Sequence, residues 1–111
     1  MLGLAFALAV ASPNLEAVDD SNAALTSCLF AVMREQTASR GTRDQIAAAL
    51  ASGCAGEEAR YRGLAIAVLV ARGQPPRAAA ADVDALLART RSDMIAEHER
   101  FVAPGLFEPA Q

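Results

Sequence analysis

Apolar residues in the middle of the chain recur every three or four positions, the spacing that places side chains on one face of an α-helix. Strong helix formers dominate between these positions, and no segment alternates in the way a half-buried strand does. The pattern therefore predicts an all-α protein. The first apolar face is formed by Val18, Leu25, Cys28, Leu29 and Val32.

Capping residues set the ends of this first helix. Asn14 is suited to the N-cap, because its side-chain oxygen can accept a hydrogen bond from a free backbone N–H at the helix start. Glu16 suits the positive end of the helix dipole and Arg34 suits the negative end. Gly41 supplies a stop. We predict a helix over 15–38 that is followed by a turn at Gly41.

A second apolar face begins directly after that turn. Thr42 and Gln45 have the spacing of a capping box, in which each side chain bonds the other residue's backbone N–H. Gly53 and Gly56 resemble breaks, yet the apolar phase continues past them, so we predict one long helix over 43–72 with a bend near Gly53. Its phase runs through Ile46, Leu50, Gly53/Cys54, Glu57, Tyr61, Leu64 and Val68.

A third face follows the Gly-Gln-Pro-Pro sequence at 73–76, which ends the long helix and turns the chain. We predict a third helix over 77–101. Residues 64–71, just before the turn, are apolar nearly all round, so other helices should cover them; left uncovered, they would support a homodimer. The face of the third helix comprises Val83, Leu87, Thr90, Met94, His98 and Phe101.

The two cysteines, Cys28 and Cys54, lie equally far from Gly41 along the chain. If the chain reverses at Gly41, both thiols lie about 20 Å of helix from the turn, at one height on facing apolar stripes. We predict a Cys28–Cys54 disulfide that staples an antiparallel three-helix arrangement, a long helical hairpin plus a third helix. The alternative is two buried free thiols; no Cys-x-x-Cys motif supports a catalytic or metal-binding pair.

The start of the chain points to export. Residues 2–11 carry no charge and end in Ala-Val-Ala, which predicts a signal peptide over 1–11 that is cleaved near Ala11/Ser12. The run is too short to span a bilayer; its alternative role is a short helix packed on the core. A lipobox-like tetrapeptide ends at Cys28, but acidic residues upstream argue against lipidation. The prediction is a periplasmic or secreted protein.

Size and charge limit the classes of function. The chain has 111 residues, of which 53% are hydrophobic, so one small folded domain is expected, over 12–103. An irregular tail over 104–111 follows, and its Leu106 and Phe107 are expected to fold back onto the bundle. All ten basic residues are arginines interleaved with acids, and the net charge is −3. A nucleic-acid partner is therefore not predicted, because its basic stripe is missing.

Glu57 is the most informative polar residue, because it falls in the apolar phase of the long helix. A carboxylate there needs a partner, such as the Tyr61 hydroxyl or an arginine, so we predict a polar contact of Glu57 and Tyr61 at the edge of the core. The functional alternative is an acid–base residue. His98, between two glutamates, is expected at a helix edge rather than on a metal.

No catalytic constellation is evident. The sequence has no nucleophile elbow, no glycine-rich phosphate loop after a strand, and no defensible inward-facing pair of acids. We therefore predict a protein that is not an enzyme and that uses no cofactor or metal.

The layout of a leader, Cys28-Leu29 in the first helix, then Cys54, Glu57 and Tyr61, and an Ala-rich final helix resembles small, functionally uncharacterised two-cysteine exported proteins of Gram-negative bacteria. The resemblance covers the middle half of the chain and implies a periplasmic location. More loosely, the chain resembles the small helical acid-stress chaperones of the periplasm, which also carry one disulfide. Its cysteine spacing is shorter and it has no lysine, so no functional residue is transferred.

These observations lead to two functional hypotheses. The first is a non-enzymatic exported protein that binds a protein or envelope partner. The second is a stress holdase, which exposes apolar surface when acid protonates its carboxylates and leaves ten arginines unopposed.

Overall fold

The computed structural model describes residues 14–102, and these form four α-helices joined by short turns. The predicted all-α class, with one disulfide stapling packed antiparallel helices, is confirmed. The predicted signal peptide over 1–11 and the tail over 104–111 lie outside the described residues. The helices are α1 (Leu15–Ala38), α2 (Arg43–Ser52), α3 (Ala55–Ala71) and α4 (Pro76–Glu97), and α4 continues into a π-helical turn (His98–Val102).

Helix α1 has the predicted bounds. Its N-cap is Asn14, whose Oδ1 accepts hydrogen bonds from the backbone N–H groups of Glu16 at 2.9 Å and Ala17 at 3.3 Å. These bonds satisfy two of the N–H groups that a helix start leaves free. The local signal at Asn14 therefore sets where the helix begins.

The first turn reverses the chain between α1 and α2, as predicted, but the residue in the left-handed conformation is Arg40 (φ 57°) rather than Gly41. The Arg40 N–H bonds the Thr37 carbonyl at 3.2 Å, and the Gly41 N–H bonds the Gln36 carbonyl at 2.9 Å. This pair of bonds is the Schellman arrangement, which satisfies carbonyls at a helix end.

Helix α2 begins with the predicted capping box. The Thr42 hydroxyl oxygen accepts a hydrogen bond from the Gln45 N–H at 3.2 Å, and the Gln45 Oε1 accepts one from the Thr42 N–H at 2.8 Å. The two bonds fix the entry of the chain into α2.

The single long helix predicted over 43–72 is wrong, because the chain leaves helical geometry at Cys54 (φ −126°, ψ 36°) and divides the segment into α2 and α3. Gly53 allows this junction to approach α1. A Cβ atom on Gly53 would lie 2.6 Å from the Ala49 carbonyl oxygen and 3.0 Å from Cγ2 of Val32. At the break Glu57 leaves the predicted apolar face, whereas Tyr61 and Leu64 stay half-buried and Val68 stays buried.

The second turn follows the Gly-Pro-Pro signals at 73–76. Gly73 has φ 101°, a conformation that strains any residue with a Cβ. Its N–H bonds the Val70 carbonyl at 3.0 Å, while the Gln74 N–H bonds the Leu69 carbonyl at 3.0 Å, a second Schellman end. Pro76 then occupies the first turn of α4, where its missing N–H costs nothing.

The core is built by all four helices. Helices α2 and α3 each pack against both α1 and α4, so α1 and α4 run in the same direction on the outside of the hairpin. Segment 64–71 is covered as expected at Val68, which is buried, whereas Val70 is 37% exposed. The main buried cluster comprises Leu25, Leu29, Ile46, Leu50, Cys54, Val83 and Leu87.

Within residues 14–102, no helix is both long enough and apolar enough to cross a membrane.

Candidate functional site

The disulfide joins α1 to the α2–α3 junction. The Cys28 and Cys54 sulfurs are bonded at 2.04 Å, with their Cα atoms 6.0 Å apart. Cys54 is only 2% exposed and belongs to the core cluster. The predicted pairing is confirmed, so the alternatives of two free thiols and a lipidated Cys28 are wrong. The covalent link holds the hairpin closed at mid-height.

The structure does not bring Glu57 and Tyr61 together as a polar contact. Glu57 is exposed and has no hydrogen bond or ion pair with any residue in 14–102, while Tyr61 packs against the core. The physical reason is the break at Cys54, which turns Glu57 out of the apolar phase.

The neighbouring carboxylate, Glu58, occupies the half-buried position instead. Its Oε1 accepts a hydrogen bond from Nη1 of Arg91 on α4 at 2.8 Å, and the two side chains are 23% and 25% exposed. The position of Glu58 could have been predicted by counting from Cys54. Steps of four and three residues from Cys54 lead to Glu58, Tyr61 and Ala65, which share one helix face.

A second ion pair joins α3 to α4 one helical turn further on. Arg62 donates from Nε to Oδ1 of Asp84 at 2.7 Å and from Nη2 to Oδ2 at 3.1 Å. These hydrogen bonds lower the pKa of the Asp84 carboxyl below its ordinary value. Both side chains are substantially solvent-exposed, so the pair orients the helices more than it stabilises them.

An open groove with a volume of about 710 Å³ lies between the ends of α1 and α4. We call it the α1–α4 groove. The two helices run in the same direction and make few contacts with each other, and their last turns leave an open channel between them. Its lining consists of Phe30, Met33, Arg34 and Thr37 from α1 and of Thr90, Asp93, Met94, Glu97, His98, Phe101 and Val102 from α4 and the π-helical turn.

The floor of the groove is apolar and its rims are charged. Phe30 is 60% exposed, a large apolar surface to leave in water. On the α1 rim, Arg34 has no ion pair with any residue in 14–102. On the α4 rim, Asp93 also has no ion pair with any residue in 14–102. Glu97 is 3.9 Å from Nη1 of Arg100, a long ion pair. His98 is half-buried at the mouth.

The sequence did not predict this groove, because Met94 and Phe101 were placed on the apolar face of the third helix and were expected to pack in the core. Phe30 stands one position outside the predicted face of α1, and that departure was the available signal. The inward side chains of α2, Ile46 and Leu50, are buried in the core cluster, and no residue of α2 lines the groove.

A smaller hollow of about 320 Å³ lies at the opposite end of the bundle, between α1, α3 and α4. Tyr61 lines it together with Val18 and Leu86. Asp82 at its edge accepts a hydrogen bond from Nε2 of Gln74 at 2.6 Å. Within residues 14–102, no group of three or more His, Cys, Asp or Glu side chains is placed to hold a metal ion.

Comparison with known proteins gives no match for this chain among protein-family models, curated proteins or solved structures. The fold and the site therefore define its class by themselves. It is a small helical bundle, stapled by one disulfide, with an open apolar groove at one end.

Proposed function

We propose that the chain is a non-enzymatic exported binding protein that holds an amphipathic helix of a partner protein in the α1–α4 groove. The observation that carries this proposal is the exposed Phe30 on the floor of a large open groove. A partner helix laid into such a groove buries its apolar face without requiring the bundle to rearrange.

The dimensions of the groove suit a short helix. Its α4 wall extends from Thr90 to Phe101, which is about 16 Å of helix, or three turns. Met33 and Met94 supply flexible apolar contacts on the two walls, and methionine adapts to side chains of different shape.

The charges on the rims specify the partner further. Asp93 and Glu97 lie four residues apart on α4, so both face the same rim. A partner helix with basic residues along one flank would complement them, while Arg34 on the other rim favours an acidic residue. The proposed partner is therefore an amphipathic helix with a basic and an acidic flank.

The disulfide and the predicted leader together support an exported location. Structural disulfides persist in oxidising compartments, and the sequence pattern over 1–11 is that of an export signal. We place the protein in the periplasm or outside the cell, where its partner belongs to the cell envelope. Intact-mass analysis with and without reductant tests this, because it reports leader cleavage and the disulfide in one measurement.

The groove is tested with a photocrosslinking amino acid at position 30, expressed in a Gram-negative host, with the same amino acid at exposed Ala48 of α2 as the matched control. We expect one envelope protein to crosslink from position 30 only. Its crosslinked segment, made as a peptide, should bind the purified protein, and Phe30→Asp should abolish binding while Val70→Asp does not. Equal crosslinking from both positions, or binding that survives Phe30→Asp, overturns the proposal.

The alternative function, an acid-stress holdase, is favoured by the ion pairs between helices. Glu58–Arg91, Asp84–Arg62 and Glu99–Arg43 each join two helical segments through a carboxylate, so protonation of carboxylates in strong acid weakens the contacts between helices. Purified protein should then suppress aggregation of an unfolded client at about pH 3 and not at neutral pH. A lack of suppression at low pH eliminates this function.

A further inference from the structure

We propose that the tail over 104–111 folds back into the α1–α4 groove and competes with the partner helix. The inference rests on the proposed function, since it concerns the regulation of the same groove. The tail is then a built-in occupant, which a partner must displace.

The tail follows directly on residues that line the groove. Phe101 and Val102, the last residues of the π-helical turn, are themselves part of the groove lining. Only Ala103 separates them from the tail. The tail therefore starts at the mouth of the groove and needs no linker to reach it.

The sequence encodes a turn at the start of the tail. Ala103-Pro104-Gly105-Leu106 has proline and glycine at the two central positions of a type II turn. Such a turn reverses the chain, so the residues after Gly105 run back along α4 rather than away from it. The segment from Leu106 to Gln111 extends about 20 Å at most, enough to cover the groove's length of about 16 Å.

The tail and the groove are also chemically complementary. Leu106 and Phe107 are the large apolar residues of the tail, and they enter first over the apolar floor formed by Met33 and Met94. Glu108 follows as the tail's charged side chain, and Arg34 stands on the α1 rim with no ion pair to any residue in 14–102. An acid on the tail thus meets a base on the groove.

The tail lowers the apparent affinity of any partner by the fraction of molecules in which the groove is open. Partner binding is then adjustable through the tail, without a change in the bundle itself.

The test uses the full chain and the dye 8-anilinonaphthalene-1-sulfonate, which fluoresces on exposed apolar surface. Replacing the apolar pair in Leu106→Asp plus Phe107→Asp should raise the dye fluorescence several-fold, because it frees the groove. The control Ala110→Asp adds charge to the tail but keeps the pair, so fluorescence should not change. Equal fluorescence in wild type and the double variant, or an equal rise in the control, overturns the inference.

A direct measurement places the photocrosslinking amino acid at position 107 of the purified, dilute protein. We expect crosslinks within one molecule to α1 or α4 residues of the groove, and their loss when Phe30→Asp is added. Crosslinks only between molecules would assign the groove to a second copy and overturn the inference.

Charge exchange tests the assigned register. Arg34→Glu and Glu108→Arg should each raise dye fluorescence, and the two together should restore the wild-type level. Additive rises overturn the pairing of the tail with the α1 rim.

These experiments need no partner, so they separate the two proposals. If the tail docks but no partner helix is found, the proposed function fails and the inference about the tail stands. If the tail does not dock and a partner helix binds at Phe30, the inference fails and the proposed function stands.

Discussion

Two residues occupy equivalent left-handed positions at the ends of α1 and α3, and they differ in chemistry. Arg40 has φ 57° and Gly73 has φ 101°. Each is the residue after the helix cap in a Schellman arrangement. An L-residue with a side chain pays roughly 1–2 kcal/mol in this conformation, whereas glycine adopts it freely. The two turns therefore form a natural comparison.

We predict that Arg40→Gly raises the free energy of unfolding by about 0.5–1 kcal/mol, because removing the Cβ relieves more strain than the added flexibility of the unfolded chain costs. Gly73→Ala should lower it by about 1 kcal/mol, although its Cβ would meet no atom within 4 Å, since the cost is conformational. Denaturant unfolding measures both. A loss of stability in Arg40→Gly contradicts the prediction.

Adjacent glutamates give a second test at this scale. Glu58→Gln should lower the free energy of unfolding by about 1 kcal/mol, because it leaves the half-buried Arg91 without its charged partner. Glu57→Gln, the matched control, should change stability by less than about 0.5 kcal/mol, since Glu57 is exposed. Equal effects of the two substitutions in thermal unfolding would show that the phase assigned to α3 is incorrect.

At the scale of elements, sequence reasoning succeeded where the signal was local. Asn14, the Thr42–Gln45 box and the glycine and prolines at 73–76 each act on backbone groups within a few residues. The helix ends they encode therefore appear in the structure where the sequence placed them. The disulfide was also predictable, because two helices meeting at one turn leave few possible heights for a pair of cysteines.

The break at Cys54 was not predictable in the same way. Apolar steps of four and three residues fit both one unbroken helix and two helices that meet at a short break. What decides between them is the contact of Gly53 with Val32 on α1, which lies far away in sequence. The groove was missed for a related reason, since it depends on how far apart the last turns of α1 and α4 lie, and these two helices are distant in sequence.

The Arg62–Asp84 ion pair makes the stability of the contact between α3 and α4 depend on pH. Hydrogen bonds from Arg62 lower the pKa of Asp84 in the folded state. The ionised Asp84 therefore contributes fully to the free energy of unfolding above the ordinary carboxyl pKa range. This contribution is lost as the pH falls through the lowered pKa. We predict that Asp84→Asn lowers Tm at about pH 7 and that the difference vanishes by about pH 2. A difference in Tm that is constant over this range contradicts the assignment.

At the scale of the whole molecule, the disulfide compensates for a core made of few large side chains. The bond closes a loop with a sequence separation of 26, and in the chain-entropy model such a loop stabilises the fold by about 3.5 kcal/mol. A domain of this size is stable by only about 5–15 kcal/mol. The disulfide therefore supplies a large share of the total stability of the domain.

We predict that Cys28→Ala plus Cys54→Ala lowers the free energy of unfolding by about 3 kcal/mol or more, because the loop is released and the buried sulfur of Cys54 leaves a gap. Wild-type protein unfolded in the presence of a reductant serves as the control, and it should lose nearly as much. Unchanged stability after reduction would contradict the role given to the disulfide.

The same bond has a mechanical consequence. When the molecule is stretched between its two ends, tension bypasses the chain from Cys28 to Cys54, because it passes through the sulfurs across a Cα separation of 6.0 Å. About 80 Å of contour length is thereby withheld from extension. An optical-tweezers trace of the wild-type protein should lengthen by that amount when dithiothreitol is added, and a trace of the double-alanine variant should not change.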